Sequence, residues 1–218
     1  SRPDGALPLA GTALWFTQVE QLSRHQPPRI LPPEQADPEA LERLTAPRPA
    51  IAGLAMDRPQ IMGILNTTPD SFSDGGLHAE PQAAIAAALA MAEAGATIID
   101  IGGESTRPGA ATVPDAEEIA RTAPVIAGLR RRSEIPISID TRKAAVARAA
   151  IDAGATLVND VAGFTFDPDL APFAAGANLP VCVMHAQGDP ATMHLDPRYD
   201  NVLLDVYYWL DTRLTALE

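Results

Sequence analysis

The sequence predicts an α/β protein with a parallel sheet, either a closed (β/α)8 barrel or an open doubly wound sheet. From residue 60 onward, short β-branched runs alternate with amphipathic, alanine-rich stretches, the signature of repeated βα units. Two connections nearly repeat each other, "AEAGATIIDI" at 92–101 and "IDAGATLVND" at 151–160. Each is a helix end, a glycine, an apolar strand and a polar tip. Successive strands also end in polar residues, and in both kinds of sheet ligands sit at the carboxyl ends of the strands.

Residues 1–59 hold ten of the 21 prolines and show no sustained apolar period apart from "ALWFTQVEQL". They read as a proline-rich, partly ordered extension ahead of a main domain at 60–218. The domain opens with a strand at 60–65. A helix follows over 81–94, with Pro81 in its first turn and Gly95 suited to C′. Its apolar run "AAIAAALAMA" is too short to span a bilayer and reads as a buried face. Next come a strand at 97–101, a helix at 115–130 introduced by Pro114, a strand at 136–140 and a helix at 142–153 closed by Gly154. A strand at 156–160, a short helix near 168–175, a strand at 180–184 and a helix at 200–217 complete the pattern.

Composition excludes several function classes. A net charge of −12 is unfavourable for nucleic acid or an anionic membrane surface, because binding there rests on clustered cations. The one basic run, Arg130, Arg131 and Arg132, falls at a helix end, where it complements the dipole. A single cysteine, Cys182, rules out an internal disulfide framework and reads as core packing. With no apolar stretch of signal-peptide or membrane-spanning length, a cytoplasmic location is expected.

The strand-end rule turns the tips into candidates: Asn66, Asp100, Asp140, Asn159 with Asp160, and Met184 with His185. Helix caps also use Asp and Asn, so a single polar tip carries little; together they mark a rim. Asp140 after "PISI" is a partly buried carboxylate, which persists only when paired or well supplied with donors. Only Arg142, two residues on, is placed to pair with it. A ligand with an exocyclic amine beside a ring N–H would supply two donors, and Asn159 would serve adjoining ring atoms. That points to a planar nitrogen heterocycle. Asn66 and the hydroxyls of Thr67, Thr68, Ser71 and Ser73 suit Mg²⁺ that takes its remaining ligands from phosphate and water. Arg107 offers a forked donor for phosphate or carboxylate, stiffened by Pro108. The loops "SDGG" and "GGESTRPG" are long for βα connections, as lids often are. No P-loop or dinucleotide fingerprint follows any strand, which demotes nucleotide hydrolysis and NAD chemistry.

The segments "GILNTTPDSFSDGG", "IIDIGGESTRPGA", "PISIDT", "AGATLVNDVAGF" and "VCVMHAQGDPATM" closely resemble the dihydropteroate synthase family, over roughly residues 60–195. The resemblance implies a (β/α)8 TIM barrel, of which about the first five βα units are present. It implies condensation of 7,8-dihydropterin-6-ylmethyl diphosphate with p-aminobenzoate, releasing pyrophosphate and 7,8-dihydropteroate. In family terms Asn66 resembles the Mg²⁺ and pyrophosphate asparagine, and Asp140 and Asn159 the pterin-binding pair, with Asp100 and Met184 lining the same pocket. Phe72, Asp74, Thr106, Arg107 and Pro108 resemble two mobile loops that close over p-aminobenzoate and the diphosphate. Asn66, Arg107 and Asp140 are the catalytic candidates. No protein nucleophile is needed, in keeping with the lack of an evident Ser–His or Cys–His pairing. A homodimer is implied for the full-length enzyme.

Motifs of the family's later strands, of the types "LDPG", "SRKS" and "RVHD", do not occur here. The only lysine, Lys143, opens a helix and is not expected to replace the family's active-site lysine. The expectation is a piece of a longer enzyme, inactive alone; the alternative is a non-catalytic pterin-binding or partner protein. A five-stranded sheet would leave two open edges and an exposed interior face.

Overall fold

The structure, a computed structural model, describes residues 2–68, 79–105, 112–188, 192 and 196–218. It divides into two compact units, Ser1–Gln60 with Asn201–Leu204, and Ile61–Asp200 with Asp205–Glu218.

In the first unit, β1 (Leu7–Pro8) pairs antiparallel with β2 (Trp15–Phe16), and β3 (Val19–Gln21) with β4 (Arg29–Leu31). Frequent prolines, which cannot donate to a ladder, keep such strands short. Helix α1 (Pro38–Thr45) starts where its sequence signals it should. Asp37 Oδ1 accepts from Ala40 N at 2.8 Å and Pro38 fills the first helical position.

The second unit is a run of βα units: β5 (Met62–Asn66), α2 (Ala79–Glu93), β6 (Ile98–Gly102), α3 (Asp115–Arg130), β7 (Ile137–Asp140), α4 (Ala144–Asp152), β8 (Leu157–Asp160), α5 (Leu170–Gly176) and β9 (Val181–Val183). Helix α6 (Val202–Leu217) follows. The five strands form one parallel sheet in the order β5-β6-β7-β8-β9, so each pairs with the next in sequence. Both repeated connections end their helices alike. Gly95 and Gly154 adopt φ of +109° and +115°, and the next residues, Ala96 and Ala155, donate back to Met91 O and Ala150 O, each at 2.9 Å. Left-handed geometry at C′ is what these glycines supply.

Alternation along the strands separates two faces. One carries Leu65, Ile99, Ile101, Ile137, Ile139 and Val158, all buried, and packs with Ala84, Ile85, Ala88, Val125, Ile126, Leu129, Val146 and Leu170 into the core. Each fully buried isoleucine contributes about 2 kcal/mol. Alanine and glycine let the helices approach one another: a Cβ on Gly128 would strike Ile85. The other face holds the polar strand tips. It is open along β5, where Met62 and Ile64 are 36% and 55% exposed. Strands β5 and β9 are the sheet's edges, as expected of a five-stranded array.

Asp160 belongs to the helix-covered face and is fully buried. Its Oδ1 accepts from Ala162 N and its Oδ2 from Phe164 N, both at 2.7 Å. These bonds hold the turn after β8, in which Gly163 and Phe164 both have positive φ, 60° and 61°. Asp160 is a turn brace rather than part of the rim.

Candidate functional site

Parallel register builds the site. Asn66 pairs with Gly102, Gly102 with Asp140, Asp140 with Asn159, and Asn159 with Cys182. These five residues form one row across the sheet, on the face turned away from the helices. Two residues back along each strand, Ile64, Asp100, Ser138 and Leu157 form the row beneath. A polar tip on each strand thus becomes a contiguous patch.

Gly102 sets the spacing in the row. A Cβ there would meet Asp140 Oδ2 at 3.4 Å and Asn66 Oδ1 at 3.8 Å, so both oxygens border the space that a side chain would fill. The next residue has a different task. A Cβ on Gly103 would come within 2.8 Å of Thr122 Cγ2 and 3.0 Å of Glu118 Cγ, so this glycine admits the strand end against α3.

The carboxylates sit in an acidic, poorly hydrated setting. Burial pushes Asp140 up to about 7, and the charges of Asp100, Glu118, Asp160 and Glu104 add to the rise. Asp100 is also raised by burial, against relief from the Ser138 hydroxyl and from the Asn159 amide, whose Nδ2 donates to Asp100 Oδ2 at 3.1 Å. Among the described residues, Asp100 Oδ1 and Ser138 Oγ are buried and make no hydrogen bond of good geometry, though the hydroxyl is near enough to favour the Asp100 carboxylate. Buried acceptors of this kind favour a ligand that brings N–H donors.

Two sequence expectations are corrected here. Cys182 is not core: it is exposed, while Val181 and Val183 pack against the core. Because β9 alternates, the thiol takes the open face, at the end of the row. Partial desolvation against the sheet and the charges of Asp100 and Asp140 raise its pKa. Arg142 does not pair with Asp140. Its guanidinium meets Glu104 Oε1 at 2.6 Å and covers the Phe166 ring, 4.1 Å from the centroid.

Lys143 caps α4 and is buried. Its Nζ lies 2.7 Å from both Glu104 Oε2 and Glu118 Oε2 and donates to Val113 O at 2.5 Å. Burial alone would lower its pKa; hydrogen bonds to the two glutamates and their charges raise it. Burial alone would likewise raise Glu104, yet the bonds from Lys143, Val113 and Arg142 and the charge of Lys143 bring it below the ordinary value. Sequence reading missed this cluster, because each cation is 25 to 39 residues from the glutamates it bonds.

Met184 directly follows β9, half-buried, and donates its backbone N–H to Asp160 O at 3.4 Å. His185 packs against Tyr199 and the edge of Trp209, with centroids 5.8 and 5.1 Å away. Thr67 donates both its N–H and its hydroxyl to Gly102 O, at 2.8 and 3.0 Å, which ties β5 to β6 beyond the row. Ser71, Phe72, Ser73, Asp74, Thr106, Arg107 and Pro108 lie outside the described residues. Among the described residues no three His, Cys, Asp or Glu side chains converge on a metal position. The oxygen that suits a hard cation is Asn66 Oδ1, bordering the space over Gly102.

Parallel βα units with a polar row at their strand ends make this a ligand-binding α/β protein of the kind that holds small molecules at the carboxyl ends of its strands. Residues 62–218 match the family model for pterin binding enzymes, and the chain belongs to that family. It is similar to the dihydropteroate synthase of Synechocystis sp., 55% identical over 136 residues that cover 62% of this chain and 47% of that protein. The Escherichia coli K12 dihydropteroate synthase is 49% identical over 165 residues, 76% of this chain and 58% of that protein. Among solved structures, Xanthomonas albilineans dihydropteroate synthase with 4-aminobenzoic acid superimposes with a TM-score of 0.68 at 46% identity, over 77% of this chain and 59% of that one. The chain spans about half the length of the curated relatives it matches.

Proposed function

We propose that this chain is the pterin-binding part of a dihydropteroate synthase, an enzyme of folate biosynthesis that joins a dihydropterin diphosphate to p-aminobenzoate. The observation that carries the reading is the register row in which Asn66, Asp140 and Asn159 stand side by side around Gly102, with the buried Asp100 carboxylate beneath.

In this reading Asp140 and Asn159 accept and donate along the edge of the pterin ring, and Asp100 and Met184 line the same pocket. The ligand's N–H groups offset the desolvation that holds Asp140 high. Asn66 would hold Mg²⁺ together with phosphate oxygens and water. The ion, when bound, neutralises charge on the diphosphate. Arg107 would take a share of the charge on the departing pyrophosphate, and Phe72, Asp74, Thr106 and Pro108 would close over p-aminobenzoate. The chemistry asks nothing of a protein nucleophile: the dihydropterin supports a positive methylene, and the arylamine attacks it. A cytoplasmic location and a homodimer of the full-length enzyme complete the proposal; among the described residues no helix is long and apolar enough to cross a membrane.

The test is p-aminobenzoate-dependent release of pyrophosphate with Mg²⁺, run on this chain and on a version extended to the length of its relatives. Release that requires both substrates in either protein supports the reading. Pterin binding with no release from either would favour a non-catalytic pterin-binding protein.

A further inference from the structure

We propose that Lys143 is a positioning residue for the strand-end site: by joining Glu104 to Glu118 it fixes the backbone that follows Asp140 and so holds the Asp140 carboxylate in the row. The site it serves is the one read above as pterin-binding, and the inference rests on that reading.

The three residues that follow Asp140 all bond into the same two carboxylates. Thr141 Oγ1 donates to Glu118 Oε1 at 2.7 Å, Arg142 to Glu104 Oε1 at 2.6 Å, and Lys143 Nζ to one oxygen of each glutamate at 2.7 Å. Glu104 Oε2 also accepts from Val113 N at 2.7 Å, and Lys143 completes its three donors on Val113 O. Four chain segments therefore meet at one ammonium group: the end of β6, the approach to α3, α3 itself and the end of β7. The cluster is well buried, with side-chain exposures of 9% for Arg142 and Glu104, 6% for Lys143 and 1% for Glu118.

Two cations against two anions leave the cluster neutral, yet a buried ion cluster of this kind is seldom more stabilising than apolar packing of equal volume. What it provides is fixed geometry. Asp140 requires it, because its surroundings are hostile to a carboxylate: Asp100 on β6, Glu104 beyond β6, Glu118 on α3 and Asp160 on β8 all repel it. An unrestrained strand end would relieve that repulsion by turning the carboxylate toward water. Lys143 opposes the movement twice over. Together with Arg142 it balances two of the four repelling acids, and it locks the next turn of chain. Its further bond to Val113, with the bond from Val113 to Glu104, also joins the approach to α3 to the end of β6.

Hydrogen exchange and ligand titration on K143M and T141V test the role. K143M removes all three donors. T141V removes two side-chain hydrogen bonds, the one to Glu118 and the one accepted from Lys143 N, and no charge, and it decides the matter if K143M does not fold. In both, amides of residues 104–105, 112–113 and 140–144 should exchange at least about tenfold faster than in the wild type, while those of 98–101 and 157–160 keep their rates. Titration with 6-hydroxymethylpterin should show affinity weakened about tenfold in T141V and further in K143M. A uniform rise in exchange across the sheet, or local opening with unchanged affinity, overturns the positioning role and leaves a stabilising cluster only. A wild type that binds no pterin removes the pterin reading and the role built on it. A wild type that binds, beside variants that bind equally well, removes the role alone.

Discussion

Asn159 on β8 donates to Asp100 on β6 across 3.1 Å, a bond between strands that are not neighbours, since β7 lies between them. The contact ties the site row to the row beneath it. It also leaves Asp100 Oδ1, among the described residues, without a hydrogen bond of good geometry.

Asn159→Ala should therefore act on binding more than on folding. It removes one ligand contact and leaves both Asp100 oxygens without a side-chain amide, which favours protonated Asp100. Pterin affinity should fall by about 2 kcal/mol, close to thirtyfold by calorimetry, with a thermal midpoint shifted by only a few degrees. A midpoint collapse with unchanged affinity would assign Asn159 to the fold instead.

The position of Asp140 gives both binding and stability a defined pH dependence. Its folded-state pKa of about 7 lies above the ordinary 3.8, so between these values the folded state binds more protons than the unfolded one. Stability contributed by this group is then greatest at acid pH, declines as pH rises through that window and levels off above 7. Asp140→Asn should flatten that decline and raise the thermal midpoint at pH 8 more than at pH 5. A ligand that needs the carboxylate form should bind the wild type about tenfold more weakly per pH unit below 7.

The paired glycines should separate cleanly on substitution. Gly102→Ala meets only ordinary contact distances, whereas Gly102→Leu would fill the space bordered by Asn66 and Asp140. The leucine variant should fold and lose pterin binding. Gly103→Ala forces its methyl against Thr122 and Glu118, so it should cost about 1–3 kcal/mol in urea unfolding. Equal behaviour at the two positions would contradict the division of labour between site and scaffold.

Cys182 offers a chemical readout of the row. The thiol is exposed, and an elevated pKa makes it a slow nucleophile at neutral pH. Iodoacetamide should modify the folded chain at Cys182 more slowly than it modifies glutathione, and saturating 6-hydroxymethylpterin should slow it further. Modification at a rate unaffected by pterin would place the ligand away from β9.

The sequence was most legible where local chemistry decides the outcome. From residue 60 on, element bounds came within about two residues, because alanine-rich helices, β-branched strands and the C′ glycines Gly95 and Gly154 each carry their own signal, whereas the short strands and helix of residues 7–45 were not legible. That Asn66, Asp140 and Asn159 stand at strand tips on one rim was readable for a related reason: in a parallel sheet the last residues of successive strands are brought side by side. What required tertiary structure was parity and partnership. "VCV" does not reveal which face its cysteine takes until pairing with Asn159 fixes the register. Nothing local reveals that Glu104, Glu118 and Lys143 meet, and the same cluster explains why Arg142, adjacent in sequence to the Asp140 tip, turns to Glu104.

Strand order that follows chain order bears on how the sheet is made. During synthesis, β6 can settle against β5 while β7 is still inside the ribosome, and every later strand finds a finished edge waiting for it. From β5 to β9, each strand is followed along the chain by the neighbour it pairs with. The helix stops at Gly95 and Gly154 let β6 and β8 begin at set points along the nascent chain, so assembly can proceed vectorially, one unit at a time.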